Sequence, residues 1–148
     1  MLAFISHADC MGHDTGALHP DQPGRISAIE NQLIMSGLDF VLRRLDAPKV
    51  TRAQLERVHD ANYLDRIYAL DPVTEPVEID GDTVMSPGTL RAAERAAGAG
   101  ILGVDLIMAG EVHAAFCAVA PAGAPCRAAP RHGVLPFRQY RGGCRACA

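Results

Sequence analysis

From residue 86 to residue 110 the chain reads SPGTLRAAERAAGAGILGVDLIMAG. A helix of this length with so little side-chain bulk in its middle is stable only against a partner that approaches closely. Ser86 can cap it and Pro87 suits a first helical position. Leu90, Ala93, Ala97, Ile101, Val104 and Met108 then recur every three or four residues, which predicts one apolar face. Each interior glycine costs about 1 kcal/mol relative to alanine, so AAERAAGAG predicts a sheet or helix packed tightly against it. After Gly110 the apolar run AAFCAV, residues 114–119, reads as a buried strand.

The same pattern runs through the rest of the chain. Leu2 to Ser6 is a short apolar run that predicts a strand and opens onto the loop HADCMGHDTGALHPDQP. Asp21 can cap a helix with Pro23 in its first turn, and Ile26, Ile29 and Leu33 keep helical spacing until Gly37. Phe40 to Leu45 predicts a second strand. A short helix follows from Thr51 to about Val58, then another in which Tyr63, Leu64, Ile67 and Tyr68 share a face before Asp71-Pro72 ends it. Residues 71–85 read as an exposed acidic loop. Strands alternating with helices predict an α/β fold, a parallel sheet with helices on both faces. Three strands are few for such a sheet, so residues 1–119 read as the beginning of a larger domain.

Charge divides the chain at the same place. All 17 acidic residues precede residue 120, with nine of the 14 basic ones, so residues 1–119 carry −8 and residues 120–148 carry +5. The tail holds five arginines, three cysteines and four prolines. Its prolines interrupt any helix or strand and its apolar residues follow neither period, which predicts an unstructured segment. There is no 18-residue apolar run to span a membrane and no signal-peptide pattern at MLAFISHADC, so the expectation is a cytoplasmic protein. Cys10 and Cys117 stand alone in the body, which fits reduced thiols.

Several residues invite chemistry. His7, His13 and His19 lie six apart on one loop, without the i, i+4 spacing of a helical metal pair, and a structured surface loop is the better reading than a metal site. Arg25 begins a helix and on its own reads as a solvated first-turn arginine. No nucleophile can be assigned to His59, which reads as structural. Cys144 and Cys147 have the spacing of half a zinc site, with only Cys126 and His132 besides in the tail. The five tail arginines could form a nucleic-acid arm. They are interspersed with Pro, Gly and Ala and accompanied by no lysine, however, a composition that GC-rich coding sequence also gives when read in a wrong frame.

HDTGALHPDQPGRISAI resembles the N-terminal signature of the histone deacetylase and acetylpolyamine amidohydrolase superfamily, His-Pro-Glu-x-Pro-x-Arg-[Leu/Ile]. HDANYLDRI resembles its next block, and DTVMSPGTLRAAERAAGAGILGVDLIMAGE with AFCAV resembles its long helix and following strand. The resemblance covers residues 1–119 and is strongest to the bacterial, class II-like branch. It implies an arginase/deacetylase-like fold, incomplete here, and in intact relatives a zinc-dependent hydrolysis of acetyl-lysine or acetyl-polyamine. It further implies that Arg25 lies near an inner acetate-release cavity and that His19-Pro20 shape the pocket loop.

In that family the strand leads into Arg-Pro-Pro-Gly-His-His-Ala and then Met-Gly-Phe-Cys-Leu-Phe. Here the tandem histidines align with Ala124 and Pro125. Reconstructed codons CAC CAT GCC, shifted by one nucleotide after a G, give Ala124-Pro125-Cys126; ATG GGG TTC TGC CTT TTC after a C gives His132 to Phe137. The expectation is therefore a frameshifted tail from near Ala120. The chain should lack catalytic residues and zinc ligands and bind no zinc. The alternative is a small non-enzymatic protein using its basic tail on nucleic acid or a partner.

Overall fold

The computed structural model describes residues 1–16, 21–80 and 83–121. Strand β1 spans Leu2–Ser6. A 3-10 turn at Ala8–Gly12 precedes helix α1 at Gly24–Met35, and a second 3-10 turn at Leu38–Val41 leads into strand β2 at Leu42–Asp46. Helices α2 (Arg52–Leu55) and α3 (Ala61–Ala69) follow, then strands β3 (Val77–Asp80) and β4 (Thr83–Met85), helix α4 (Thr89–Met108) and strand β5 (Ala114–Cys117).

The main sheet has the order β2-β1-β5, and both pairings are parallel. In its register Phe4 lies between Arg44 and Phe116, and Ile5 between Leu45 and Cys117. Side chains alternate between the faces of a strand, so Ala3 and Ile5 look toward α4. There they pack with Ala47, Ala99, Leu106 and Val112. The opposite face carries Phe4, with Phe116 stacked at 6.0 Å and the Arg44 guanidinium 4.9 Å above the Phe4 ring. Helix α1 crosses this side, and Arg44 reaches Glu30 of α1 and Asp39 of the turn after it. Helices cover both faces as the alternating pattern predicts.

Helix α4 serves two cores in succession. Its first turns bury Leu90 and Ala93 against Val50, Leu55, Leu64, Ile67 and Met85. Its later turns bury Ala99, Gly103 and Leu106 toward the sheet, while Val104 and Met108 of the predicted stripe face outward. The stripe turns because small residues bury where a backbone comes close, and apolar bulk is no guide there. A Cβ on Gly103 would stand 3.0 Å from that of Ala115.

The other departures have local causes. Asp21 does not cap α1; Pro23 holds the cap position without a side-chain hydrogen bond, because the Asp21 carboxylate is engaged by Arg25. Phe40 and Val41 belong to a 3-10 turn and are exposed, so β2 begins at Leu42. Helix α4 starts at Thr89, after Gly88 in a left-handed conformation, and so Ser86-Pro87 lie in the turn before it. The predicted acidic loop contains the β3-β4 antiparallel hairpin, whose Met85 is fully buried. The packed body also continues two residues past 119: Ala120 and Pro121 are buried. The rest of the tail, residues 122–148, lies outside the described residues. No helix among the described residues is long and apolar enough to cross a membrane.

Two helix starts are capped by side chains. Thr51 forms a reciprocal capping box with Gln54, and Asp60 accepts from the backbone N–H groups of Asn62 and Tyr63. Asp60→Ala should destabilise the fold by about 1 kcal/mol, a usual cost of losing such a cap. A lower urea midpoint with an unchanged slope would check it.

Candidate functional site

In α/β sheets the carboxyl ends of the strands are where loops converge to form sites. Here that edge joins the exits of β1 and β5. Ser6 at the end of β1 donates its hydroxyl to the Ala118 carbonyl at 2.8 Å. His7 then caps the 3-10 turn, its Nδ1 accepting from the Asp9 backbone N–H at 3.0 Å. The turn is pinned to α4, since Arg95 donates through Nε to Asp9 at 2.8 Å and through a terminal nitrogen to the Ala47 carbonyl at 2.8 Å. One arginine thus ties the exits of β1 and β2 to the long helix.

The Arg95 hydrogen bond holds the Asp9 carboxyl below its ordinary value of 3.8, against the opposing effect of burial. A depressed folded value means that the pair stabilises the native state above the unfolded carboxyl's range, and that this contribution is lost as pH falls through the folded value. Arg95→Gln should therefore narrow the stability difference between neutral pH and about pH 3. Urea titrations of both proteins across that range would check the sign.

The turn passes Gly12, whose carbonyl would stand 2.9 Å from a Cβ on Gly88, a residue at φ +95°. That close approach brings His13 beside the start of α4. His13 is buried, 4% exposed, with Nδ1 2.9 Å from Thr89 Oγ1. Ser86 joins them: its backbone N–H donates to Thr89 Oγ1, its hydroxyl lies 3.0 Å from the same oxygen, and it accepts from the Asp14 backbone N–H. On its other side the His13 ring turns Nε2 toward Asp21 Oδ2 at 3.6 Å. Asp21, also buried, receives Arg25 on Oδ1 at 2.9 Å. The same Arg25 nitrogen donates to the Val119 carbonyl at 3.3 Å, where the chain leaves β5.

A line of polar contacts therefore runs from α4 through the buried loop to the exit of β5, ending on a guanidinium that is always protonated. Beneath it Cys10, Ile26 and Ala120 form a small apolar cluster. Burial pushes both the Cys10 and Cys117 thiols above their ordinary values, so neither is a ready nucleophile. On the α1 side Ser6, His7, Ser27, Glu30, Arg44 and Asp46 line an open groove of about 540 Å³.

Of the residues singled out in the sequence, Arg25 stands at this edge. His19 and Pro20 lie outside the described residues, as do Ala124, Pro125 and the tail cysteines and arginines. His7 and His13 have separate structural partners, and His13 is a core residue where a surface loop was expected. His59 stacks on Tyr63 at 5.6 Å. Among the described residues no three His, Cys, Asp or Glu side chains come together as a metal-ligand set, so the zinc of the family chemistry finds no ligand set among them. Sequence reasoning missed His13, Ser86 and Thr89 as one unit. Residues 13 and 89 meet only through the topology, and the one available hint was that both lie in segments of the resemblance.

A histone deacetylase-like amidohydrolase of Pseudomonas aeruginosa is 32% identical over 108 residues, which cover 73% of this chain and 28% of that protein. An uncharacterized protein of Synechocystis is 30% identical over 111 residues, 73% of this chain and 36% of that one. The crystal structure of the HDA15 HD domain aligns with a TM-score of 0.73 at 24% identity, covering 82% of this chain and 35% of that one, a likeness of fold. The chain thus spans about a third of the length of these relatives. The histone deacetylase domain family matches residues 19–133, a span that begins at His19, includes Arg25, α4 and β5, and passes beyond the exit of β5. On that match, with the parallel sheet and long helix beneath it, this chain belongs to the histone deacetylase family.

Proposed function

We propose that this chain is the N-terminal portion of a deacetylase-type amidohydrolase domain and that, as written through Ala148, it does not hydrolyse amides by itself. The whole domain would add water across the acetyl C–N bond of an acetyl-lysine or acetyl-polyamine, releasing acetate and the free amine, with zinc polarising the carbonyl. The part contributed here is a wall of the site. Its described member is the Arg25 guanidinium, which Asp21 holds beside the exit of β5; by the resemblance, His19 and Pro20 would belong to the same pocket. A back-translation of residues 120–126 supports the rest of the reading. The codons CGC CCG CCG GGG CAC CAT GCC spell the family's Arg-Pro-Pro-Gly-His-His-Ala. Preceded by a G and read one nucleotide early, they spell Ala-Pro-Ala-Gly-Ala-Pro-Cys, the sequence of residues 120–126. With those codons, a single displaced nucleotide would account for seven consecutive residues and for the loss of both histidines.

The test is direct. Purified chain incubated with acetyl-lysine peptides and with acetyl-polyamines should release no acetate above a buffer control, and metal analysis should find far less than one zinc per chain. Zinc-dependent release of acetate, abolished by a chelator, would overturn the proposal.

A further inference from the structure

We propose that His13 is a positioning residue for Arg25, acting through Asp21 as the neutral tautomer that carries its proton on Nε2. Two features favour this tautomer: the donors around Thr89 and the carboxylate that faces Nε2. A hydroxyl has one proton to give and two lone pairs to receive with. Thr89 Oγ1 receives the Ser86 backbone N–H at 2.9 Å and touches both the Ser86 hydroxyl at 3.0 Å and His13 Nδ1 at 2.9 Å. If the Ser86 hydroxyl donates to Thr89, both lone pairs are filled and the Thr89 proton goes to Nδ1. That leaves Nδ1 as the acceptor and puts the ring proton on Nε2, facing Asp21 Oδ2. In the opposite tautomer a bare Nε2 lone pair would face the Asp21 carboxylate in a buried setting, which is unfavourable.

The Nε2–H dipole meets Asp21 at 3.6 Å, longer than a hydrogen bond, so its effect is to orient the carboxylate. Asp21 has a side chain only 11% exposed, and its other oxygen carries the Arg25 guanidinium, itself 41% exposed. Surface pairs of this i, i+4 kind are weak and mobile. This one is fixed from behind by a buried ring locked to α4, and so the guanidinium keeps its place beside Val119. The connection to catalysis rests on the deacetylase reading above; the arrangement of His13, Asp21 and Arg25 does not.

Nitrogen-15 NMR of the full chain tests both parts. The His13 ring should show a protonated Nε2 and an unprotonated Nδ1 at neutral pH. In Thr89→Val the Arg25 guanidinium hydrogens should exchange with water at least about fivefold faster, and in Thr89→Ser, which keeps the hydroxyl, at the parental rate. A proton on Nδ1 in the unsubstituted chain would overturn the proposal, as would parental exchange of Arg25 in a folded Thr89→Val protein. Should Thr89→Val not fold, the tautomer decides by itself. Neither readout uses deacetylase activity, so failure here and failure of the amidohydrolase reading are separate results.

Discussion

Gly98→Ala should destabilise the protein by about 3 kcal/mol or more, the upper range for overpacking a tightly fitted site. A Cβ at Gly98 would lie 1.9 Å from the Pro48 carbonyl oxygen, 2.8 Å from its carbon and 3.1 Å from the Val50 nitrogen. These are backbone atoms, so no rotamer change relieves the clash. The segment from Ala47 to Val50 would have to retreat from α4, and with it the hydrogen bond from the Val50 N–H to the Glu94 carbonyl at 3.1 Å. The gain in helix propensity, about 1 kcal/mol, is too small to offset that loss. Gly100 sits two residues along the same helix with nothing within 4 Å of its Cβ position, and Gly100→Ala should stabilise by roughly 0.5–1 kcal/mol. Urea unfolding of the pair should therefore move in opposite directions. Equal effects would mean that α4 does not lie against the chain after β2 as described.

That contrast also marks where the sequence was legible. The low bulk of AAERAAGAG announced that something packs closely on α4. It could not say that the close partner at residue 98 is the backbone after β2, because the contact is set by how α4 lies across the sheet. Strands β1 and β5 were legible as short apolar runs, and α3 as one face carrying Tyr63, Leu64, Ile67 and Tyr68. Phe40 misled because an aromatic before an apolar run reads as strand, whereas Gly37 at φ +71° starts a turn that leaves it in solvent. The hairpin at Val77–Met85 was hidden by its acidic composition. Arg25 was visible only through the family resemblance. His13 was visible as a loop histidine but its burial was not, since a histidine six residues from the next in a glycine-rich loop gives no sign that it will be buried against Thr89.

The second large effect is catalytic. Removing one nucleotide just ahead of codon 120, with the downstream coding sequence retained, should convert a product with no measurable deacetylation into one that turns over acetylated substrate at about 1 s⁻¹ or faster, the lower range of ordinary enzymes. The tandem histidines would return at positions 124 and 125, where Ala and Pro now stand. That activity should vanish with a chelator and return with zinc. In the restored protein, Arg25→Ala should lower turnover while leaving the zinc content unchanged, because Arg25 lies at the strand exit and is no metal ligand.

Sequencing of the coding DNA across codons 115 to 148 tests the frame itself. The adjacent frame should read Arg-Pro-Pro-Gly-His-His-Ala from codon 120, reach Met-Gly-Phe-Cys-Leu-Phe at codon 132, and continue open into an Asp-x-His motif. Stop codons in that frame, or codons at 120–126 that do not spell the histidine pair, would contradict the reading and leave residues 120–148 as an evolved basic tail.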